Sequence, residues 1–177
     1  GDFVSHVRMM KTDYEDTGLT QLFGMPFVVL RKPVPFDTTT LNFNWQVWDT
    51  KAFSLYSRST EKIDKKGADM AIAAVCRFLS RMNVLNYNVY GGYESTVLLE
   101  EELVSLRSTA SGLYIPHVKS FDSVERGQIL ADIIDPLTSV TVAQTEAPED
   151  GIVFFAKDSP LVMENETLFK IVNKLHK

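Results

Sequence analysis

Apolar and polar residues alternate across Val4-Ser5-His6-Val7-Arg8-Met9-Met10, which predicts a short strand. Met25-Pro26-Phe27-Val28-Val29-Leu30 is instead a continuous apolar run bounded by Gly24 and Pro33, the pattern of a strand covered on both faces in a parallel or mixed sheet. Between them Asp16 is placed to cap a short helix that buries Leu19, Leu22 and Phe23, with Gly24 as its stop. Pro33 and Pro35 keep the next stretch extended. Asp37 with Thr38, Thr39 and Thr40 supplies capping groups for a helix that carries Leu41, Trp45 and Trp48 on one face, where both tryptophans read as core. Ala52-Phe53-Ser54-Leu55-Tyr56 predicts another strand. The longest helix is expected over residues 65–82, capped by Asp64, with Ala68, Ile72, Val75, Leu79 and Met82 as one apolar stripe. Cys76 falls on that stripe and reads as a small packed hydrophobe. Strand, helix and strand in alternation predict an α/β layer.

Beyond Asn83 the texture changes to short alternating runs and Gly/Pro turns, which sets an expected boundary near Tyr90 to Gly92. The two expected regions are residues 1–90, a partial catalytic-type α/β domain, and residues 91–177, a small all-β domain. Within the second, one pattern occurs twice. Gly112-Leu113-Tyr114-Ile115, then Val124, then Leu130 and Ile133 is echoed by Gly151-Ile152-Val153-Phe154, then Val162, then Leu168 and Ile171. Such a repeat predicts two similar β units sharing one core, a barrel-sandwich-like arrangement with internal two-fold symmetry.

Composition narrows the function classes. The 177 residues are 45% apolar and 23% charged with a net charge of -5, and no Lys/Arg cluster offsets the acidity, so no nucleic-acid partner is expected. No apolar run is long enough to span a bilayer, and no membrane partner is expected. The single cysteine excludes an internal disulfide and suits a reducing, cytoplasmic compartment.

Three segments carry a resemblance. The run Ser111-Gly112-Leu113-Tyr114-Ile115-Pro116, the run Asp122-Ser123-Val124-Glu125-Arg126-Gly127-Gln128-Ile129-Leu130, and Ala147-Pro148-Glu149-Asp150-Gly151 with Ser159-Pro160-Leu161-Val162 are similar to the C-terminal β domain of the succinylglutamate desuccinylase/aspartoacylase family. Gly24-Met25-Pro26-Phe27-Val28-Val29-Leu30-Arg31 and Ala52-Phe53-Ser54-Leu55-Tyr56 resemble the second half of that family's zinc-carboxypeptidase-like domain. The resemblance implies a zinc-dependent hydrolase acting on an N-acyl amino acid or related amide. The family binds zinc through a His-x-x-Glu pair and a later Asp-x-His. The only histidines here, His6, His117 and His176, lie in neither motif. The resemblance therefore implies the C-terminal portion of such a protein, with Zn in the full-length parent and none expected bound to this chain alone.

The same resemblance places Tyr56 in the slot of the family's general-base glutamate. A phenol with an ordinary pKa of about 10 does not take a proton from water at neutral pH, but it can donate to a developing oxyanion. Glu61 is the next carboxylate along, either a substitute base or a solvated residue before a helix. Arg31 and Arg58 each follow a strand; either can clamp a substrate carboxylate or form a surface ion pair. His6 is the nearest approach to a metal ligand, yet one imidazole without partners specifies no metal. The repeated tail also resembles biotinyl and lipoyl carriers, but no lysine lies between Arg126 and Lys157, where a carrier needs its modified side chain. The rival reading is a non-catalytic binding or structural module that retains the architecture without the metal site. Homo-oligomerisation or association with the protein's own N-terminal part is expected where a partial sheet leaves an edge.

Overall fold

The computed structural model describes residues 1–59, 62–88 and 91–173. It is a mixed, sheet-rich fold with few helices. The chain divides into two compact units, one of residues Ser5–Glu102 and the other of Gly1–Val4 together with the chain from Leu103 onward.

The opening strand β1 (Asp2–Phe3) belongs to the second unit, where it pairs antiparallel with a later strand at Phe155 and Ala156. The first unit is built on β2 (His6–Met10), β3 (Phe27–Arg31), β4 (Ser54–Tyr56) and β5 (Thr96–Leu99), in the order β4-β2-β3-β5. β2, β3 and β5 run parallel, and β4 runs antiparallel to β2. β5 therefore belongs to the first sheet, and the break falls after Glu102 rather than near Tyr90 to Gly92. The alternation beyond Asn83 marked the last strand of the α/β layer, not the first of the β unit.

One face of this sheet is the core. Val7 and Met9 from β2, Val28 and Leu30 from β3, and Phe53, Leu55 and Leu99 from the flanks pack with Phe23, Met25 and Ala74. At about 1.5–3 kcal/mol for each fully buried aliphatic or aromatic side chain, this layer holds the unit together. The short helix α1 (Thr17–Gln21) is capped by the Asp16 carboxylate, which accepts from the Leu19 N–H at 3.0 Å. It delivers Phe23, whose ring stacks on Phe78 at 4.3 Å and meets Phe53 edge-on at 5.4 Å.

Two helices sit differently from the sequence expectation. In α2 (Leu41–Val47), Thr40 caps the first turn. The residue it buries is Gln46, whose Nε2 donates to the Met10 carbonyl at 2.7 Å and to Thr12 Oγ1 at 2.8 Å. Trp45 and Trp48, expected in the core, are exposed. The side of α3 (Lys65–Arg81) that meets the sheet carries Gly67, Met70, Ala74, Arg77 and Phe78. The apolar stripe expected to be buried is not the docking side. Ala68, Ile72, Val75 and Met82 are exposed, and Leu79 and Cys76 only half-buried. The buried Arg77 is accommodated because its Nε donates to the Phe23 carbonyl at 2.9 Å. That carbonyl lies just past Leu22, the C-cap of α1.

The second unit has two sheets. In one, the order is β1-β11-β13-β6, with β6 (Val104–Arg107), β11 (Gly151–Ala156) and β13 (Thr167–Asn173), and β8 (Ser123–Val124) pairs with β11. In the other, the order is β10-β9-β7-β12, with β7 (Gly112–Pro116), β9 (Ile129–Ile134), β10 (Thr141–Glu146) and β12 (Leu161–Val162). The two short strands are exchanged between sheets. Val162 pairs with Gly112, and Val124 pairs with Gly151. Val124, Leu130, Ile133, Val153, Val162, Leu168, Phe169 and Ile171 form one buried cluster between them. Neither sheet could bury those residues alone. No helix among the described residues is long and apolar enough to cross a membrane.

Candidate functional site

The face of the first sheet opposite its core carries the polar groups. Strand residues alternate sides, so Val7 and Met9 point to the core while His6, Arg8 and Met10 point the other way. Register brings Tyr56 beside His6 and Ser54 beside Arg8. At the carboxyl ends of β2 and β3, Arg8, Met10, Arg31, Ser54 and Tyr56 line a cleft of about 370 Å³, together with Phe36 and Asp37 from the turn Pro35–Thr39, the capping residue Thr40, and Asn42 from α2. Crevices at the carboxyl ends of parallel strands are where open α/β sheets bind ligands.

Arg8 organises the cleft. Its Nη2 meets Glu100 at 2.7 Å and its Nη1 donates to the Tyr56 hydroxyl at 3.2 Å. Burial works to lower its pKa, but the Tyr56 hydrogen bond and the Glu100 charge outweigh it, and the net shift is upward. Arg8 stays charged. Arg31 lies alongside, with Nη2 3.4 Å from Asp37 and Nε 3.5 Å from Glu100. Asp37 is held in place by the Val34 N–H, which donates to its carboxylate at 2.9 Å. Two guanidinium groups and the Asp37 carboxylate thus line the cleft, and Glu100, which is not part of the lining, bonds both guanidinium groups.

Some capacity is left unused. Arg8 Nε is buried with no hydrogen-bond partner, and so is Asn42 Oδ1, although Asn42 Nδ2 donates to Ser54 Oγ at 3.0 Å. Both atoms are sealed from solvent, so what the cleft can offer a ligand are the guanidinium groups of Arg8 and Arg31 and the Tyr56 hydroxyl. It can orient a small polar group. No lining carboxylate stands unpaired, so the described residues of the cleft offer no evident proton acceptor.

Of the residues singled out by sequence, Tyr56 and Arg31 come together here. His6 lies beside them, buried, its ring stacked on Tyr56 at 4.8 Å and 7°. Arg58 does not line the cleft; its Nε is 3.9 Å from Asp64 at the start of α3. Glu61 and His176 lie outside the described residues. Arg8, Asn42 and Glu100 were not anticipated. The one available signal was a charge set between apolar residues in the Val7-Arg8-Met9 alternation. Glu100 is the carboxylate both arginines share. Among the described residues no three His, Cys, Asp or Glu side chains come together to hold a metal. These residues do not fit a zinc ion.

No protein-family model matches the sequence, and no curated protein matches it. Solved structures do match, and those similar to this chain are succinylglutamate desuccinylase/aspartoacylase family proteins. The product-bound ectoine utilization protein EutE (DoeB) from Ruegeria pomeroyi superimposes with a TM-score of 0.77 at 13% identity, over 96% of this chain and 53% of that one. A succinylglutamate desuccinylase/aspartoacylase from Rhodobacter sphaeroides gives 0.76 at 14% identity, over 99% and 55%. An aspartoacylase family protein from Mesorhizobium loti gives 0.70 at 16%, over 99% and 54%. At these identities the shared property is the fold. The chain spans about half the length of the structures it matches.

Proposed function

We propose that this chain is the C-terminal part of a cytoplasmic, zinc-dependent hydrolase that cleaves the amide bond of an N-acyl amino acid or a related small molecule. The supporting observation is the overlap of almost the whole chain with desuccinylase, aspartoacylase and EutE structures, with a two-arginine cleft at the strand ends. In this reading the zinc ligands lie outside these residues. Arg8 and Arg31 orient the substrate, and the Tyr56 hydroxyl donates to its carbonyl oxygen. The parent has its own N-terminal part, or a second copy, as partner. The β unit is an internal duplication that contributes architecture rather than chemistry. The test uses the full-length protein and a panel of N-acetyl and N-succinyl amino acids. Hydrolysis of at least one is expected, with Tyr56→Phe lowering kcat by about 100-fold, the scale of losing one oxyanion donor. Absence of turnover across the panel with zinc supplied contradicts the reading.

A second reading has its own observation: the carboxylate lining the cleft, Asp37, is tied to a cation and an N–H, and the resemblance would put Tyr56 where the family has its base. That arrangement also suits a non-catalytic module that holds a polar ligand. Calorimetry separates the two, because the module would bind members of the panel without consuming them.

A further inference from the structure

Phe36 is 77% exposed, yet it lines the cleft and stands on a turn that leaves its backbone little freedom. Pro35 opens that turn with a fixed φ. Thr38, Thr39 and Thr40 each donate a hydroxyl hydrogen bond to the carbonyl three residues earlier, at 2.7, 2.9 and 2.7 Å. Asp37, the next residue, is buried and held by the Val34 N–H and by Arg31. A single exposed apolar side chain is ordinary. One fixed on the lining of a cleft by a hydrogen-bonded turn is a preorganised contact, because a ligand that covers it has little backbone left to order.

The positive charge of the cleft is gathered at one place. Arg8 Nη2 and Arg31 Nε approach the same Glu100 oxygen, at 2.7 and 3.5 Å, so the two guanidinium groups act as one cationic point. Arg31 is the freer of the two. Its contacts to Asp37 and Glu100, at 3.4 and 3.5 Å, are longer than ordinary N–H···O bonds, and its side chain is 30% exposed, which leaves part of its five-donor fork for a ligand carboxylate. Among the described lining residues the others are neutral or, in Asp37, anionic, and Phe36 is the large exposed apolar one.

From this we infer that the cleft selects a monocarboxylate whose other end is aromatic, with Arg31 on the carboxylate and Phe36 as the specificity-determining side chain. This rests on reading the cleft as the substrate site of a hydrolase, and it narrows that site's substrates to aryl-bearing monocarboxylates over dicarboxylates. A ring laid on Phe36 buries apolar surface on both partners and gains the pairing preference of two aromatic rings. A second carboxylate has no second cationic point to meet on these residues, and Asp37 repels it.

The test uses the full-length protein with 3-phenylpropanoate, propanoate and succinate, which contain no amide, so that calorimetry reads binding without turnover. 3-Phenylpropanoate is expected to bind at least about 10-fold more tightly than propanoate or succinate. Phe36→Ala should remove most of that preference and Phe36→Tyr should retain it. Trp48→Ala is the control for general surface stickiness, because Trp48 is 82% exposed and outside the lining; it should leave the preference in place. A preference for succinate overturns the inference. So does a phenyl preference that survives Phe36→Ala or disappears with Trp48→Ala, and so does binding of none of the three. Amide turnover is scored separately. Hydrolysis of N-acetyl or N-succinyl amino acids without a preference that depends on Phe36 sinks the inference and leaves the hydrolase reading intact; a preference that depends on Phe36 without turnover supports the selectivity of the cleft and sinks the hydrolase reading.

Discussion

Arg8, which lines the cleft, and Glu100 are 92 residues apart in sequence and meet at 2.7 Å. The pair joins β2 to the turn after β5, across the intervening β3, and Arg31 of β3 reaches the same carboxylate at 3.5 Å. Arg8 is only 17% exposed. Glu100→Gln keeps the shape and removes the charge, leaving two guanidinium groups facing each other without their shared anion. Removing one partner of such a half-buried pair is expected to cost about 1.5–3 kcal/mol. Urea unfolding should show a lower midpoint with an unchanged slope. An unchanged midpoint would mean that solvent replaces the pair at no cost.

Gln46 is the polar residue that α2 buries against β2. Its amide donates to Met10 O and Thr12 Oγ1, while its own Oε1 has no partner. Gln46→Leu is expected to cost about 1–3 kcal/mol, because the Met10 carbonyl loses the donor of a buried hydrogen bond. Gln46→Glu should be worse, since it removes the donor and places charge where an acceptor is already unsatisfied. Equilibrium unfolding of both variants gives the order; equal stability of the two would contradict it.

These side chains also show how much of the molecule could be read from the chain. Strand positions were legible wherever alternation or a continuous apolar run had a turn residue at each end, as in β3 between Gly24 and Pro33. The Asp16 cap was legible because an N-cap is a local interaction. Which face of a helix docks is not local. α3 has an apolar arc wide enough for two contacts, and the sheet takes the side with Ala74 and Phe78 because small and flat residues permit close approach. Trp45 and Trp48 gave the stronger pattern in α2, yet Gln46 is buried because Met10 O needs a donor there. The cleft was half legible: Tyr56 and Arg31 stood at strand ends, whereas Glu100 becomes a partner of Arg8 only once β5 has joined the sheet.

The paired glycines of the β unit make a sharper prediction. A Cβ on Gly112 would lie 2.5 Å from the Ile134 carbonyl oxygen, and one on Gly151 would lie 2.5 Å from Ile171 Cγ2 and 2.7 Å from the Val172 carbonyl oxygen. Both collisions involve a neighbouring strand's backbone, which cannot turn aside as a side chain can. Gly112→Ala and Gly151→Ala should therefore each cost about 1–3 kcal/mol through overpacking. Gly127 is the control: nothing lies within 4 Å of its Cβ position, and its φ of +80° is the sole obstacle. Gly127→Ala should cost about 1–2 kcal/mol for the left-handed backbone alone. Changing Ile171→Ala as well, which removes the Cγ2 that crowds this Cβ position, should relieve Gly151→Ala in part when compared with Ile171→Ala alone, and leave Gly112→Ala and Gly127→Ala unaffected.

Asp132 is the group on the β unit whose titration should be readable. Its carboxylate accepts from Gln144 Nε2 at 2.8 Å and is paired with His117 Nε2 at 2.8 Å. The Gln144 hydrogen bond, then that of His117, hold its pKa below the ordinary 3.8. A depressed carboxylate binds its proton more weakly folded than unfolded. Its contribution to stability is thus present above about pH 3.8 and lost as pH falls through the lower folded value. Gln144→Ala should move the Asp132 midpoint up toward 3.8 in a carbon-detected NMR titration, and His117→Phe should do the same by a smaller amount. With both changes the midpoint should reach the ordinary value, and the acid limb of the stability curve should begin at a higher pH. A midpoint that stays low in the double variant would show that neither contact governs Asp132.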